Sequence, residues 1–166
     1  MLTALRLLLA IAALVLATGN QPLDAQAGPE QKRMDAFVGK WRIDIDIKAS
    51  ATAPASKASG TDECEWFANM HIVCKADAGI YRLMRVISYV PTMKQYASYT
   101  VDSYGYAVFS MGQAQGNTWT FTTDLAGVKS RTVMKMGGSG CTSTADYAGA
   151  DGKWVAVSET KATKMK

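Results

Sequence analysis

The chain has 166 residues, a formal net charge of +4 and 48% hydrophobic residues. This length and composition suit one globular domain with its own hydrophobic core. The basic residues are scattered along the chain and form no concentrated stripe, which argues against nucleic acid as a partner.

Residues 1–27 have the features of a secretory signal peptide. Arg6 supplies a positive charge before the apolar run Leu7–Ala17, and Ala25–Ala27 is a small-x-small cleavage motif. The apolar run has eleven residues, too few to cross about 30 Å of hydrocarbon as a helix. We therefore expect cleavage near Ala27, a periplasmic or secreted protein, and no integral membrane segment after cleavage.

The mature domain, residues 28–166, begins with a predicted short helix and a predicted strand. Pro29 and the spacing of the apolar residues that follow it favour one short helix, which ends at Gly39. From Trp41 to Lys48, apolar and polar residues alternate, which is typical of a half-buried strand. The segment Ala49–Ser59, rich in Ala, Ser and Thr, is predicted to be a mobile loop.

The remainder of the chain predicts a series of short strands separated by turn residues. The expected strands are Thr61–Trp66, His71–Asp77, Ile80–Val90, Gln95–Ser103, Tyr106–Ala114, Thr118–Asp124, Val128–Met136, Cys141–Tyr147 and Trp154–Thr163. An open sheet of about ten strands would expose two edges, and closure removes them. We expect an all-β fold: a single antiparallel up-and-down β-barrel with a short N-terminal helix.

Two of the three cysteines lie on one predicted hairpin. If residues 68–70 form its tip, Cys64 faces Cys74 and Trp66 faces Ile72. Directly opposed strand residues are close enough for a disulfide, and an oxidising compartment favours one. We predict a Cys64–Cys74 bridge and no metal site. Cys141 is then either a buried free thiol or the partner in a rearranged or intermolecular bridge.

A second predicted hairpin carries the most distinctive polar residue. With Tyr89 opposite Tyr96, Arg85 and Asp102 share one face, and Tyr99 lies on the other. Alternation does not decide which face points inward. An internal Arg85 must be paired and could hold a ligand carboxylate, whereas an external one would form a surface pair with Asp102.

The sequence is also similar to a known family. The segments that carry the resemblance are Phe37–Trp41, Gly60–Trp66, Val73–Cys74, Asp102–Gly105, Gly116–Trp119 and Asp151–Trp154. They resemble exported bacterial proteins catalogued as domain of unknown function fifteen seventy-nine. The resemblance implies a barrel similar to lipocalins and fatty-acid-binding proteins, and no established activity. A related barrel family binds haem through a histidine near its C-terminal end, but this chain has no histidine after His71, so we expect no cofactor.

The functional hypothesis is a monomeric, non-enzymatic barrel that binds a small apolar or amphipathic ligand. No catalytic motif is recognisable, and His71 is the only histidine. The candidate ligand-binding residues are Trp41, Trp66, Arg85, Tyr99 and Asp102. One alternative is a cell-envelope structural or protein-interaction module that acts through its outer surface. A second alternative is an enzyme with a carboxylate and arginine site in the barrel mouth.

Overall fold

The computed structural model describes residues 28–50, 54–125 and 127–166; the predicted signal peptide lies outside them. Helix α1 (Pro29–Arg33) and a 3-10 turn (Met34–Ala36) precede ten strands. The strands are β1 (Gly39–Ile47), β2 (Ser56–Phe67), β3 (His71–Asp77), β4 (Arg82–Val90), β5 (Gln95–Asp102), β6 (Ala107–Gln115), β7 (Thr118–Leu125), β8 (Val128–Met136), β9 (Gly140–Ala148) and β10 (Trp154–Lys164).

The ten strands form a closed barrel, so the predicted fold is confirmed. Each strand pairs antiparallel with its neighbours in the sequence, and β1 pairs with β10 to complete the circle. Trp41 lies opposite Lys164, and Ile47 lies opposite Ser158. Closure leaves no free sheet edge for another chain to pair with. No helix among the described residues is long and apolar enough to cross a membrane.

Strand β2 begins earlier than the sequence pattern predicts. We expected Ser56–Ser59 to belong to a mobile loop, but these residues pair with β1, and Ser56 lies opposite Ile47. Their side chains are small and lack a clear apolar alternation. Main-chain hydrogen bonds to β1 hold these residues in the sheet, although their side chains do not show the alternation of a strand.

The hydrophobic core lies at the end of the barrel that α1 covers, which we call the helix end. Phe37 enters this end and packs edge-to-face on Trp119, with ring centroids 4.7 Å apart. Met34 is also fully buried. The indole Nε1 of Trp41 donates a hydrogen bond to the carbonyl oxygen of Phe37 at 2.9 Å. The Tyr96 hydroxyl, from β5, donates to a Glu30 carboxylate oxygen at 2.5 Å. The N-terminal segment therefore closes this end of the barrel.

One glycine allows this core to pack closely. Gly112 on β6 lies opposite Phe121 on β7. A Cβ atom at position 112 would lie 2.5 Å from Cδ1 of Phe121, closer than side-chain atoms can approach. The absence of a side chain at Gly112 lets the Phe121 ring lie directly on the strand.

The first predicted hairpin and its disulfide are confirmed. Cys64 lies opposite Cys74 and Trp66 lies opposite Ile72, and the two sulfur atoms are 2.10 Å apart. Both cysteines are buried, at 4% and 0% exposure. The bridge joins β2 to β3 inside the barrel near the helix end.

Removing the disulfide should lower stability without changing the fold. In a Cys141→Ala background, the double substitution Cys64→Ala and Cys74→Ala should reduce the free energy of unfolding by about 2–3 kcal/mol, because the closed loop is short. Equilibrium urea unfolding followed by tryptophan fluorescence measures this difference. An unchanged midpoint would show that the bridge adds nothing.

Candidate functional site

The barrel interior divides into two halves of different composition. Towards the helix end, inward-facing side chains are large, apolar and buried; Ile72 and Ile87 are 0% exposed. The other part, which we call the far half, carries small side chains at inward positions. These are Ala58, Gly60, Thr100, Ser110, Thr132, Ser143, Ala145, Ser158 and Thr160. Each is only partly buried, although it points inward. Solvent therefore reaches the inward-facing side chains of the far half.

Arg85 and Asp62 meet inside the barrel. Arg85 on β4 lies opposite the buried Cys74 of β3, and Asp62 on β2 lies opposite the buried Ala76. This register answers the question that alternation left open, because it turns the Arg85 face of the second hairpin inward. Arg85 Nη2 donates to Asp62 Oδ2 at 3.1 Å, and the two side chains are 20% and 16% exposed.

The ion pair leaves one buried donor of Arg85 without a partner. Among the described residues, the buried Nε of Arg85 has no hydrogen-bond partner. A guanidinium has only donors, and a buried donor without an acceptor costs about 1–3 kcal/mol. Asp62 therefore compensates the charge of Arg85 but does not satisfy its full hydrogen-bonding capacity.

Asp102 shares the inner face with Arg85, but its hydrogen bonds go elsewhere. Its Oδ1 accepts from the backbone N–H groups of Tyr104 and Tyr106, at 2.9 and 3.0 Å. Its Oδ2 accepts from the hydroxyl of Tyr81 at 3.4 Å. The hypothesis of a direct Arg85–Asp102 pair is wrong: Asp102 shapes the β5–β6 turn, and Asp62 is the partner of Arg85.

Tyr81 remains a neutral hydrogen-bond donor over the physiological pH range. Burial, followed by the charge of Asp102, raises the pKa of Tyr81 to about 12, and the nearby Arg85 acts in the opposite direction. Tyr81 also stacks on Tyr104, with centroids 5.7 Å apart. The hydrogen bonds here thus form two pairs, Arg85 with Asp62 and Tyr81 with Asp102.

Cys141 also points into the barrel. On β9 it lies opposite Met136 of β8 and Ala162 of β10, and both of these residues are buried. Burial raises the pKa of the Cys141 thiol; the charge of Arg85 lowers it and that of Asp62 raises it. The register places the thiol on the inner wall, where it can report on the interior.

The structure separates the five predicted ligand-binding residues. Trp41 is 4% exposed and belongs to the helix-end core, and Trp66 donates to Asp35 Oδ1 at 2.8 Å, so both indoles hold the N-terminal segment. Tyr99 faces outward and is 46% exposed. Of the five, only Arg85 and Asp102 lie together on the inner wall away from the helix-end core.

The sequence analysis missed Asp62, the central partner of Arg85. Two strands apart, Asp62 and Arg85 face each other diagonally across β3. The predicted hairpin β2–β3 sets Asp62 opposite Ala76, and a second register, β3–β4, sets Ala76 opposite Leu83. Both registers must be combined before the pair can be recognised.

Among the described residues, one group of three side chains has ligand atoms close enough together for a metal ion, but these atoms already have other partners. Asp62, Cys64 and Cys74 offer ligand atoms within 4.8 Å of one another. The two sulfurs are bonded to each other, and Asp62 accepts from Arg85. This cluster therefore provides no thiolate for a metal while the bridge is intact.

A serine and a histidine form a hydrogen bond that the sequence did not indicate. His71 Nδ1 and Ser88 Oγ are 2.6 Å apart across β3 and β4. Both side chains lie on the outer wall, beside the exposed Phe67. Among the described residues, no carboxylate forms a hydrogen bond with the histidine, so the pair has no orienting acid.

A cleft of about 380 Å³ lies at the helix end. Its walls include Arg33, Asn117 and Lys164. Arg33 already donates to the Gly116 carbonyl oxygen at 3.0 Å, and Lys164 Nζ lies 5.3 Å from the Trp41 ring centroid. The hydrophobic core separates this cleft from Arg85, so the two are distinct features of the molecule.

Comparison with known proteins agrees with this architecture. The family model "Protein of unknown function (DUF1579)" matches residues 26–164. The chain belongs to the DUF1579 family. The crystal structure of Rv2717c from M. tuberculosis is similar, with a TM-score of 0.64 and 7% identity, and the alignment covers 85% of this chain and 100% of that one. At this identity the likeness shows the fold alone. No curated protein matches the chain significantly.

The position of Cys141 predicts a shifted pH dependence of thiol labelling. Because burial raises its pKa, alkylation by iodoacetamide should reach half its maximal rate above about pH 8.5, the ordinary thiol value. Asp62→Asn should lower that midpoint, since it removes a negative charge. Mass spectrometry measures the labelled fraction, and urea-unfolded chain is the control. A midpoint equal to that of the unfolded chain would place the thiol outside the barrel.

Proposed function

We propose that this DUF1579 protein is an exported, monomeric, non-enzymatic barrel that binds one small, largely apolar ligand in its interior. The observation that carries the proposal is the set of small inward-facing residues in the far half, each of which solvent reaches. A barrel of ten strands is wider than the eight-stranded kind that side chains just fill. This width, combined with small inward side chains, supports the binding of a small molecule.

The composition of the interior favours an apolar ligand with a polar group. Ile45, Leu83 and Val108 point into the far half and remain partly exposed. Covering such side chains removes apolar surface from water and drives binding. Arg85 and Tyr81 supply the few polar groups that orient a ligand in a mainly apolar pocket.

Export and the absence of catalysis belong to the same proposal. A disulfide between Cys64 and Cys74 is compatible with an oxidising compartment, as the predicted signal peptide requires. Intact mass of protein from a periplasmic extract or culture medium should correspond to a chain that begins near Gly28. The separation of His71 from Arg85 supports binding in preference to acid–base chemistry in the interior.

A neutral fluorescent dye and a filling substitution test the binding site. N-phenyl-1-naphthylamine should bind with one site per chain and slow the alkylation of Cys141. Ala145→Trp places an indole in the far half and should weaken dye binding about tenfold or more. Thr142→Trp, on the outer face of the same strand, is the matched control and should bind like the wild type.

Two results would contradict interior binding. Equal dye affinity in the Ala145→Trp and wild-type proteins would place the dye elsewhere. A dye that leaves the alkylation rate of Cys141 unchanged would argue the same. Because overpacking can destabilise a barrel, circular dichroism and thermal unfolding must show that Ala145→Trp is folded.

A specific observation also favours a second function, recognition of another protein through the outer wall. Met84, Tyr99 and Phe109 face outward and are 40%, 46% and 57% exposed. Tyr99 lies opposite Phe109 on neighbouring strands, so the apolar surface is continuous there. Continuous exposed apolar surface is typical of interaction sites.

Photo-crosslinking in living cells tests this second function. A photoreactive phenylalanine analogue at position 109 should give one discrete crosslinked product of higher mass. The same analogue at position 142, where Thr142 is exposed on the outer face of β9, is the matched control and should give none. Equal patterns at the two positions would argue against a specific surface.

A further inference from the structure

The charge of Arg85 is already balanced before any ligand enters. Asp62 holds it at 3.1 Å, and Asp102 adds a second carboxylate on the same inner face, near Tyr81. One cation and two anions therefore surround the far half at this level of the barrel. A further negative charge would be repelled, because charges interact strongly where water is partly excluded.

Arg85 nevertheless lacks a hydrogen-bond acceptor. Its Nε is buried and has no partner among the described residues, while a fifth of the side chain remains exposed. Part of the Arg85 side chain is therefore in contact with solvent, and the proposal requires this long side chain to move so that Nε meets an incoming oxygen. An acceptor without charge satisfies Nε and leaves the local charge unchanged.

We propose that the ligand is a neutral molecule with an apolar chain and an acceptor oxygen, such as a ketone, ester or ether, which Arg85 binds. The inference rests on the proposed function and names its ligand class. Asp62 is the selectivity-determining residue, because its carboxylate neutralises Arg85 and so disfavours free acids. The bidentate carboxylate clamp that the sequence suggested would need Asp62 to leave.

The substitution Asp62→Asn should reverse this selectivity. Asparagine keeps an oxygen acceptor for Nη2 of Arg85 but removes the negative charge, which leaves an uncompensated cation in the interior. A free carboxylate then becomes the favoured partner of Arg85. A purely structural role for Asp62 would change stability but would not exchange one ligand preference for another.

Displacement of N-phenyl-1-naphthylamine by three eight-carbon probes at neutral pH tests the proposal. The probes are octan-2-one, octanoate and octane. Wild-type protein should bind octan-2-one at least about tenfold more tightly than octanoate or octane. In Asp62→Asn, the ratio of octanoate affinity to octan-2-one affinity should rise at least about tenfold.

Two further variants make the test specific. Asp146→Asn is the matched control: Asp146 forms an equivalent ion pair with Arg131 at 2.6 Å, but on the outer wall beside Trp154, so probe selectivity should not change. Arg85→Met should remove the preference for octan-2-one over octane while apolar binding persists. Arg85→Met therefore still tests the inference if Asp62→Asn does not fold.

The outcomes separate the two proposals. Wild-type preference for octanoate, or equal binding of all three probes, would overturn the neutral-acceptor inference and leave interior binding standing. Selectivity that survives in both Arg85→Met and Asp62→Asn would overturn it as well. Failure of the dye and all three probes to bind would overturn the proposed function and the inference together.

Discussion

The width of a ten-stranded barrel is the constraint on which the rest of this structure depends. Such a barrel is wider than the eight-stranded kind that side chains just fill, and an empty apolar interior would forgo packing contacts. At one end, the chain meets this constraint with large side chains. There the N-terminal segment inserts Met34 and Phe37, and large residues from most strands surround them.

Polar bonds hold that segment in place. The indoles of Trp41 and Trp66 donate to oxygens of Phe37 and Asp35, so each aromatic residue buries its ring and satisfies its N–H group at once. This explains why two residues that looked like ligand contacts are structural. An inward-facing tryptophan near a barrel end shows the same sequence alternation whether it contacts a ligand or packs in the core.

The local sequence pattern predicted most of the fold. It did not predict the features that depend on pairing between distant parts of the chain. Alternation and turn residues identified the strands and the hairpin partners, including Cys64–Cys74 and Tyr89–Tyr96. The start of β2 was missed because the side chains of Ser56–Ser59 are too small to show the alternation of a strand. The pairing of this segment with β1 depends on main-chain hydrogen bonds, which the side-chain pattern does not reveal. The Asp62–Arg85 pair was missed because its residues lie on β2 and β4. The registers of β2 with β3 and of β3 with β4 must both be known before the two side chains can be placed together.

The Asp62–Arg85 pair is better explained by recognition than by stability. Removing two charges from water costs about as much as their attraction returns, and an ion pair in a protein interior often stabilises no more than apolar residues of similar size. This pair is also incompletely hydrogen-bonded, because the buried Nε of Arg85 has no acceptor. An arrangement that only held β2 near β4 would be served better by apolar side chains like those of the helix end. A charge-compensated arginine with one buried, unpartnered donor instead matches the uncharged acceptor oxygen that we propose for the ligand.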